Sequence, residues 1–189
     1  LNGNETATLL GWWIWTQWRK RNPTKDLSKV YMVSSTVSSK ILRSIAQKEG
    51  FNFEETLTGF KWIANKAYDL MTKNPGTEVI FAFEEAIGFM SGTTVLDKDG
   101  IGALAAVCEM TSHLYAQKSS LVQQLEKVFD TNIDFAVGYT KAWGHFIGRA
   151  DFGPLSVHVY SMRRWRKTKD EFQLSTLIPR FFLVLKRTV

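Results

Sequence analysis

The sequence predicts an α/β domain, a small mixed sheet covered by helices, followed by an unassigned C-terminal extension. Three observations predict it. Short β-rich apolar runs alternate with segments of helical period, the pattern that builds a layered sheet with crossover helices. Val79-Ile80-Phe81-Ala82-Phe83 is a continuous apolar run without polar alternation, as a strand covered on both faces requires. At 189 residues, with 44% hydrophobic and 22% charged residues, the chain is globular in composition and long enough for one ordinary core. The domain is expected over residues 1–130 and the extension over residues 131–189.

Taken in order, Asn4 is expected to cap a first helix through Leu9, Leu10, Trp13 and Trp18, with Glu5 placed for the helix dipole. Asn22-Pro23 ends it. Trp12, Trp13, Trp15 and Trp18 fall at helical spacing and read as packing rather than as a stacking platform for bases. Val30-Tyr31-Met32-Val33 is a strand, and the Ser34–Ser39 cluster offers N-caps to a helix carrying Ile41, Leu42, Ile45 and Ala46 on one face, closed by Gly50. Phe51–Thr56 is a further strand. After Thr58-Gly59, Phe60, Ile63, Ala64, Ala67, Leu70 and Met71 make one apolar stripe at helical spacing. Asn74-Pro75-Gly76 turns the chain into the Val79–Phe83 strand. A glycine-bearing loop then leads to a helix over about Gly100 to Ala116 and a last one at Leu121, Val122, Leu125, Val128 and Phe129.

Net charge is +6, yet it is unevenly placed. Residues 1–130 hold 14 Lys/Arg and 14 Asp/Glu, whereas residues 131–189 hold 10 and 4. The domain is therefore neutral, and a nucleic-acid partner is not expected of it. The apolar run Leu9–Trp15 is broken by Gly11 and is too short for a membrane span, and no basic segment precedes it as in a signal peptide. Leu1 rather than Met at the start reads as a fragment. The single cysteine, Cys108, excludes an internal disulfide, suits a reducing, cytoplasmic location, and is expected to be buried and inert among its small and apolar neighbours.

In open α/β sheets ligands bind at the carboxyl ends of the strands, so the loops leaving those ends are the candidates for chemistry. Phe83-Glu84-Glu85-Ala86-Ile87-Gly88 sets two adjacent carboxylates after a covered strand, where they need solvent, a partner or a ligand. Neighbours on an extended segment point opposite ways, so one of the two faces any given cleft. Such a carboxylate can accept hydrogen bonds from two vicinal hydroxyls; from spacing alone a solvated charge pair explains it as well. Asp97-Lys98-Asp99-Gly100 places a helix cap at Asp99 and a cation at Lys98, and an ordinary capped turn accounts for the same pattern. Thr56-Leu57-Thr58-Gly59-Phe60-Lys61-Trp62 joins a permissive glycine to a helix N-terminus that favours anions. His113, His145, His158 and Cys108 lack metal-ligand spacing, no Walker-type loop or G-x-S-x-G elbow occurs, and the serines of 34–39 have no histidine nearby in sequence.

Five segments in fixed order carry a resemblance: Gly3-Asn4-Glu5 with Leu9-Leu10-Gly11-Trp12-Trp13; Ser34-Ser35-Thr36-Val37-Ser38-Ser39-Lys40; Glu54-Glu55-Thr56-Leu57-Thr58-Gly59-Phe60-Lys61-Trp62; Phe83-Glu84-Glu85-Ala86-Ile87-Gly88; and Leu96-Asp97-Lys98-Asp99-Gly100. Together they resemble the third, sugar-recognition domain of the α-D-phosphohexomutases, in the eukaryotic phosphoglucomutase/phosphopentomutase branch, as far as about Phe129. The resemblance implies an intramolecular phosphotransferase. In that family a phosphoserine and a bound magnesium act on a sugar phosphate, which reorients between two half-reactions through a glucose 1,6-bisphosphate-type intermediate. It implies that Glu84 holds sugar hydroxyls, that Lys98 lies near the transferring phosphate, and that Thr58 and Gly59 shape the loop meeting the sugar. Ala86 stands where many members carry serine, so one hydroxyl contact is missing; the branch with Glu-Glu-Ala-Ile-Gly resembles this chain better, which tilts the expected substrate toward pentose as well as hexose phosphates.

The family's phosphoserine, magnesium and C-terminal phosphate loops have no counterpart in these 189 residues, so the remaining domains of a parent mutase are the expected partners. Residues 131–189 leave the resemblance. Arg163-Arg164-Trp165-Arg166-Lys167 and Phe181-Phe182-Leu183-Val184-Leu185 admit a second class of function, a non-catalytic product whose basic tail contacts nucleic acid or an anionic surface. A divergent or alternatively spliced terminus is the simpler reading of a lone charge cluster.

Overall fold

A computed structural model of the chain describes residues 1–143, with side chains described to residue 132. The basic and apolar segments of the extension lie outside the described residues. The order is α1 (Gly3–Arg21), β1 (Val30–Ser35), α2 (Ile41–Glu49), β2 (Asn52–Thr56), α3 (Phe60–Lys73), β3 (Glu78–Glu84), β4 (Gly88–Ser91), α4 (Gly100–Ala116) and α5 (Leu121–Trp143), with a single 3₁₀ turn at Leu27–Lys29. The mixed α/β architecture is the one expected. The strands lie in the order β2-β1-β3-β4; β1 runs parallel to β2 and β3, and β4 returns antiparallel to β3.

β4 adds to the expected elements, since sequence pattern assigns residues 88–91 to a glycine-bearing loop. Only four residues long, Gly88-Phe89-Met90-Ser91 gives too little pattern to read, and it becomes a strand by closing a hairpin on β3. The hairpin turn holds Ile87 at φ +63, a left-handed conformation that a β-branched residue seldom takes.

Helix α1 begins earlier than expected. Asn2, not Asn4, is the cap: its Oδ1 accepts the Glu5 N–H at 2.9 Å, and Glu5 Oε2 accepts the Asn2 N–H at 2.9 Å, a reciprocal capping box. Asn4 instead accepts the Ser39 N–H at 2.9 Å and so ties α1 to the loop after β1. The serines of that loop cap little. Lys40 precedes α2 without a side-chain cap, and only Ser39 Oγ reaches the Ile41 N–H, at 3.4 Å. Gly50 closes α2 at φ 89, as expected from its position.

The core is split by the sheet. On one face α1, α2, α4 and α5 pack on Val30, Met32, Phe81, Phe83 and Phe89; on the other, α3 packs Phe60, Ile63 and Ala67 on Val33, Val79, Ala82 and Met90. Each fully buried phenylalanine of β3 contributes about 1.5–3 kcal/mol. Trp13, Trp15 and Trp18 are buried. Cys108 corrects its expectation: it is exposed, because α4 turns Ala103, Met110 and Leu114 inward and that stripe leaves position 108 outside. Among the described residues no helix is long and apolar enough to cross a membrane.

β3 does not alternate strictly. Tyr31 pairs with Val79 and Met32 with Phe81, so Ile80 is an extra residue, a bulge. Val79 and Ala82 therefore both face α3, whereas Ile80, Phe81 and Phe83 face the other layer. Continued past the strand, this pattern sends Glu84 to the α3 side and Glu85 to the α1 side. Glu85 is secured there. Its Oε2 accepts from Ser38 Oγ at 3.0 Å and Ser35 Oγ at 3.2 Å, and its own N–H donates to Ser38 Oγ at 3.1 Å. These bonds join the ends of β1 and β3, the point where chain progression across the sheet reverses. Gly3 lets α1 touch the same turn, since a Cβ there would lie 2.1 Å from the Glu85 carbonyl oxygen.

Two substitutions test this lock. Gly3→Ala is expected to destabilise the chain by about 1–3 kcal/mol, because overpacking against backbone outweighs Ala's better helix propensity. Ser38→Ala leaves the partly buried Glu85 N–H and carboxylate short of a partner and is expected to cost about 1–3 kcal/mol. Thr94→Ala, at an exposed site whose side chain makes no hydrogen bond among the described residues, serves as the reference, with a change within about 0.5 kcal/mol. Urea denaturation at neutral pH measures all three.

Candidate functional site

The site lies on the α3 side of the carboxyl end of β3. An open cavity of about 490 Å³ is lined by Gly59, Phe60, Lys61, Ala64, Asn65, Glu84, Leu96, Asp97 and Lys98. Each wall has a local cause. Gly59 sits at φ 108, a conformation natural only to glycine, and turns the chain from β2 directly into α3. Phe60, Ala64 and their neighbours follow on the first turns of α3. Glu84 is the last residue of β3, aimed to this side by the Ile80 bulge. A side chain at Gly88 would crowd this wall, because a Cβ there would lie 3.0 Å from the Phe60 and Glu84 side chains, which would have to shift.

Of the sequence-predicted residues, the fold brings Gly59, Glu84 and Lys98 around this one cavity. Thr58 and Ala86 are exposed beside lining residues and do not line it. The two adjacent carboxylates separate as their alternation requires. Glu85 is spent on the serines, while the Glu84 carboxylate, partly buried, makes no hydrogen bond or ion pair among the described residues. Its oxygens are left to accept from a ligand.

The far wall is the turn before α4. Asp99 caps that helix, accepting the Ile101 N–H at 3.0 Å, as expected. Asp97 accepts the Lys98 N–H at 2.7 Å and the Lys98 ammonium at 3.2 Å. First that backbone bond and then the ammonium hold the exposed Asp97 carboxyl below the usual carboxylate range. The Lys98 ammonium also stands 5.8 Å from the Phe60 ring centroid, a cation–π distance. Away from the cavity, Lys40 is pushed below the usual lysine range by burial, with Glu55 opposing the shift.

The sequence pattern places Phe60 in the apolar stripe and Lys61 in the Thr56–Trp62 segment, but assigns no ligand contact to Phe60, Lys61 or Asn65. The signal was present in their spacing: residues 61 and 65 are one helical turn apart just after Gly59, so they share a face of α3. Two other cavities hold none of the predicted residues. One of about 430 Å³ lies among Trp12, Arg19, Gln124 and Lys127, and one of about 400 Å³ lies at the opposite end of β3 beside Gln17, Glu78 and Ser91. Among the described residues no three of His, Cys, Asp and Glu gather in a set fit for a metal ion, so no magnesium chemistry is derived from them.

Open cavity, free carboxylate and nearby lysines together suit a ligand bearing hydroxyls and negative charge. Comparison with known proteins agrees in kind. Residues 2–130 match the phosphoglucomutase/phosphomannomutase alpha/beta/alpha domain III model. Glucose 1,6-bisphosphate synthase of Mus musculus is 56% identical over 128 residues, covering 68% of this chain and 20% of that protein. Phosphopentomutase of Homo sapiens is 51% identical over 142 residues, covering 75% and 22%. Phosphoribomutase of Saccharomyces cerevisiae is 40% identical over 116 residues, covering 58% and 18%. The chain thus spans about a fifth of the length of the curated relatives it matches. A solved phosphomannomutase-type structure from Thermus thermophilus shares the fold at a TM-score of 0.51 and 20% identity, over 68% of this chain and 25% of that one. A domain model matched along residues 2–130, a like fold and relatives above 50% identity place the chain in the phosphoglucomutase/phosphomannomutase family, of which it carries the third, α/β/α domain.

Proposed function

We propose that residues 1–130 are the sugar-recognition domain of a sugar-phosphate mutase of the phosphoglucomutase/phosphopentomutase type, and that residues 131–189 are an extension outside that domain. The parent moves a phosphoryl group between positions of a hexose or pentose phosphate. In the first half-reaction a phosphoserine gives its phosphoryl to a sugar hydroxyl, leaving serine and a glucose 1,6-bisphosphate-type intermediate. In the second, the other phosphoryl returns to serine and the isomeric monophosphate departs. Remaining domains of the parent supply the phosphoserine, the magnesium that offsets phosphoryl charge, and the C-terminal phosphate loop. A cytoplasmic location accompanies this reading.

The observation that carries the proposal is the meeting of an unpaired carboxylate, Glu84, with Lys98 across one open cavity at the ligand end of the sheet. Glu84 accepts hydrogen bonds from two vicinal hydroxyls. Lys98 supplies positive charge beside the transferring phosphate, where a fixed cation offsets charge that develops. Thr58 and Gly59 shape the loop the sugar meets in its second orientation, and Ala86, outside the cavity's lining, offers no hydroxyl contact of its own. Names of the relatives favour this range: a bisphosphate synthase, a phosphopentomutase and a phosphoribomutase.

Isothermal titration of the 189-residue chain with glucose 1-phosphate and ribose 5-phosphate tests the binding role. Glu84→Gln is expected to weaken both by about ten- to a hundredfold, the worth of charge-assisted hydrogen bonds lost to one carboxylate. Unchanged affinity in that variant contradicts the role. In a coupled assay the chain alone is expected to give no conversion of glucose 1-phosphate to glucose 6-phosphate; turnover would place the transfer chemistry within these residues.

A further inference from the structure

We propose that Lys61 is a phosphate-anchoring residue of the cavity, gripping the ligand's phosphate while Glu84 holds its hydroxyls. The inference rests on the sugar-phosphate reading and narrows it, because it says which wall takes the anion. Two lysines and two acidic residues are among those lining the cavity: Lys61, Lys98, Glu84 and Asp97. They are not equivalent. Asp97 is bound to Lys98 by both the backbone N–H and the ammonium, so this lysine already has a carboxylate beside it. Lys61 has no carboxylate partner among the described residues; its ammonium rests 5.7 Å from the Trp62 ring centroid.

Its position is also electrostatically unfavourable in an empty site. Lys61 is the second residue of α3, whose first turn contains no acidic residue and whose N-cap, Gly59, contributes no side-chain bond. A cation there adds to the positive end of the helix dipole, which costs folding free energy and is relieved by an anion. Asn65 lies one turn further along the same face and lines the cavity too, adding an amide donor. The anion-seeking wall is therefore the α3 side. Glu84, bearing the cavity's unanswered negative charge, repels phosphate and accepts hydroxyls. A ligand with one phosphate and a vicinal diol satisfies both, and a lysine suits a flexible point contact to phosphate.

Amide chemical-shift titrations of the ¹⁵N-labelled 189-residue chain test this with three probes: inorganic phosphate, glucose 1-phosphate and uncharged methyl glucoside. Lys61→Gln is expected to weaken phosphate and glucose 1-phosphate by about five- to tenfold, to leave methyl glucoside unchanged, and to flatten the salt dependence. Lys61→Arg is expected to restore most of the loss. The variant's spectrum outside residues 58–66 reports whether the fold is kept. Wild-type affinity for both anions in Lys61→Gln overturns the anchor, and the sugar reading survives if Glu84→Gln still weakens glucose 1-phosphate. If phosphate binds through Lys61 and the sugar moiety adds no affinity, the anchor stands and the sugar reading falls. Binding of neither anion overturns both.

Discussion

The site depends on one extra residue in the central strand. Ile80 bulges between the pairs Tyr31–Val79 and Met32–Phe81, and this lets both ends of β3 keep their proper faces. Without it, either Val79 would leave the α3 layer or the run Phe81–Glu84 would turn over, carrying the phenylalanines to the wrong core. A bulge breaks one repeat of the ladder, and bulges gather where a side chain must be re-aimed. Here the side chain re-aimed is Glu84. Burial of Phe81 and Phe83 on one face fixes the direction of the polar residues that follow, so a packing constraint of the core is transmitted to a functional carboxylate.

Adjacent glutamates then take opposite duties. Glu85 is bonded to Ser35 and Ser38 and closes the crevice between the ends of β1 and β3, the place where a ligand would ordinarily enter an open sheet of this kind. Cavity space is displaced to the α3 side, where Glu84, Lys61 and Lys98 meet. Rigidity comes from the lock and reactivity toward a ligand from the unpaired neighbour. Strain at Ile87 and the close approach of Gly3 belong to the same turn, which is held by α1, by the serine loop and by the hairpin at once.

Much of this was legible in the sequence. Long periodic segments such as Phe60–Met71 and the unbroken run Val79–Phe83 announced their elements because burial imposes their pattern. Adjacent carboxylates at the end of a covered strand announced a division of roles; spacing did not say which of the two would be free, whereas the family resemblance singled out Glu84. What escaped was set by tertiary context. Four residues of β4 have no period to read. Asn2 outcompeted Asn4 as a cap because Asn4 was drawn to Ser39. The serines looked like caps, being chemically able to cap, and were taken by Glu85 instead. Cys108, surrounded in sequence by apolar residues, faces outward since a helix apolar on all sides buries only the stripe its neighbours touch. Lys61 lies within the Thr56–Trp62 segment, but that it has no carboxylate partner among the described residues is a property of the folded chain alone.

A crystal structure of the chain bound to ribose 5-phosphate addresses the central claim most directly. The account predicts both Glu84 oxygens within about 2.6–3.2 Å of two vicinal hydroxyls, with the phosphate on the α3 wall. A sugar seated in the cavity beside Trp12 and Lys127, or a Glu84 carboxylate that turns away from the ligand, would contradict it.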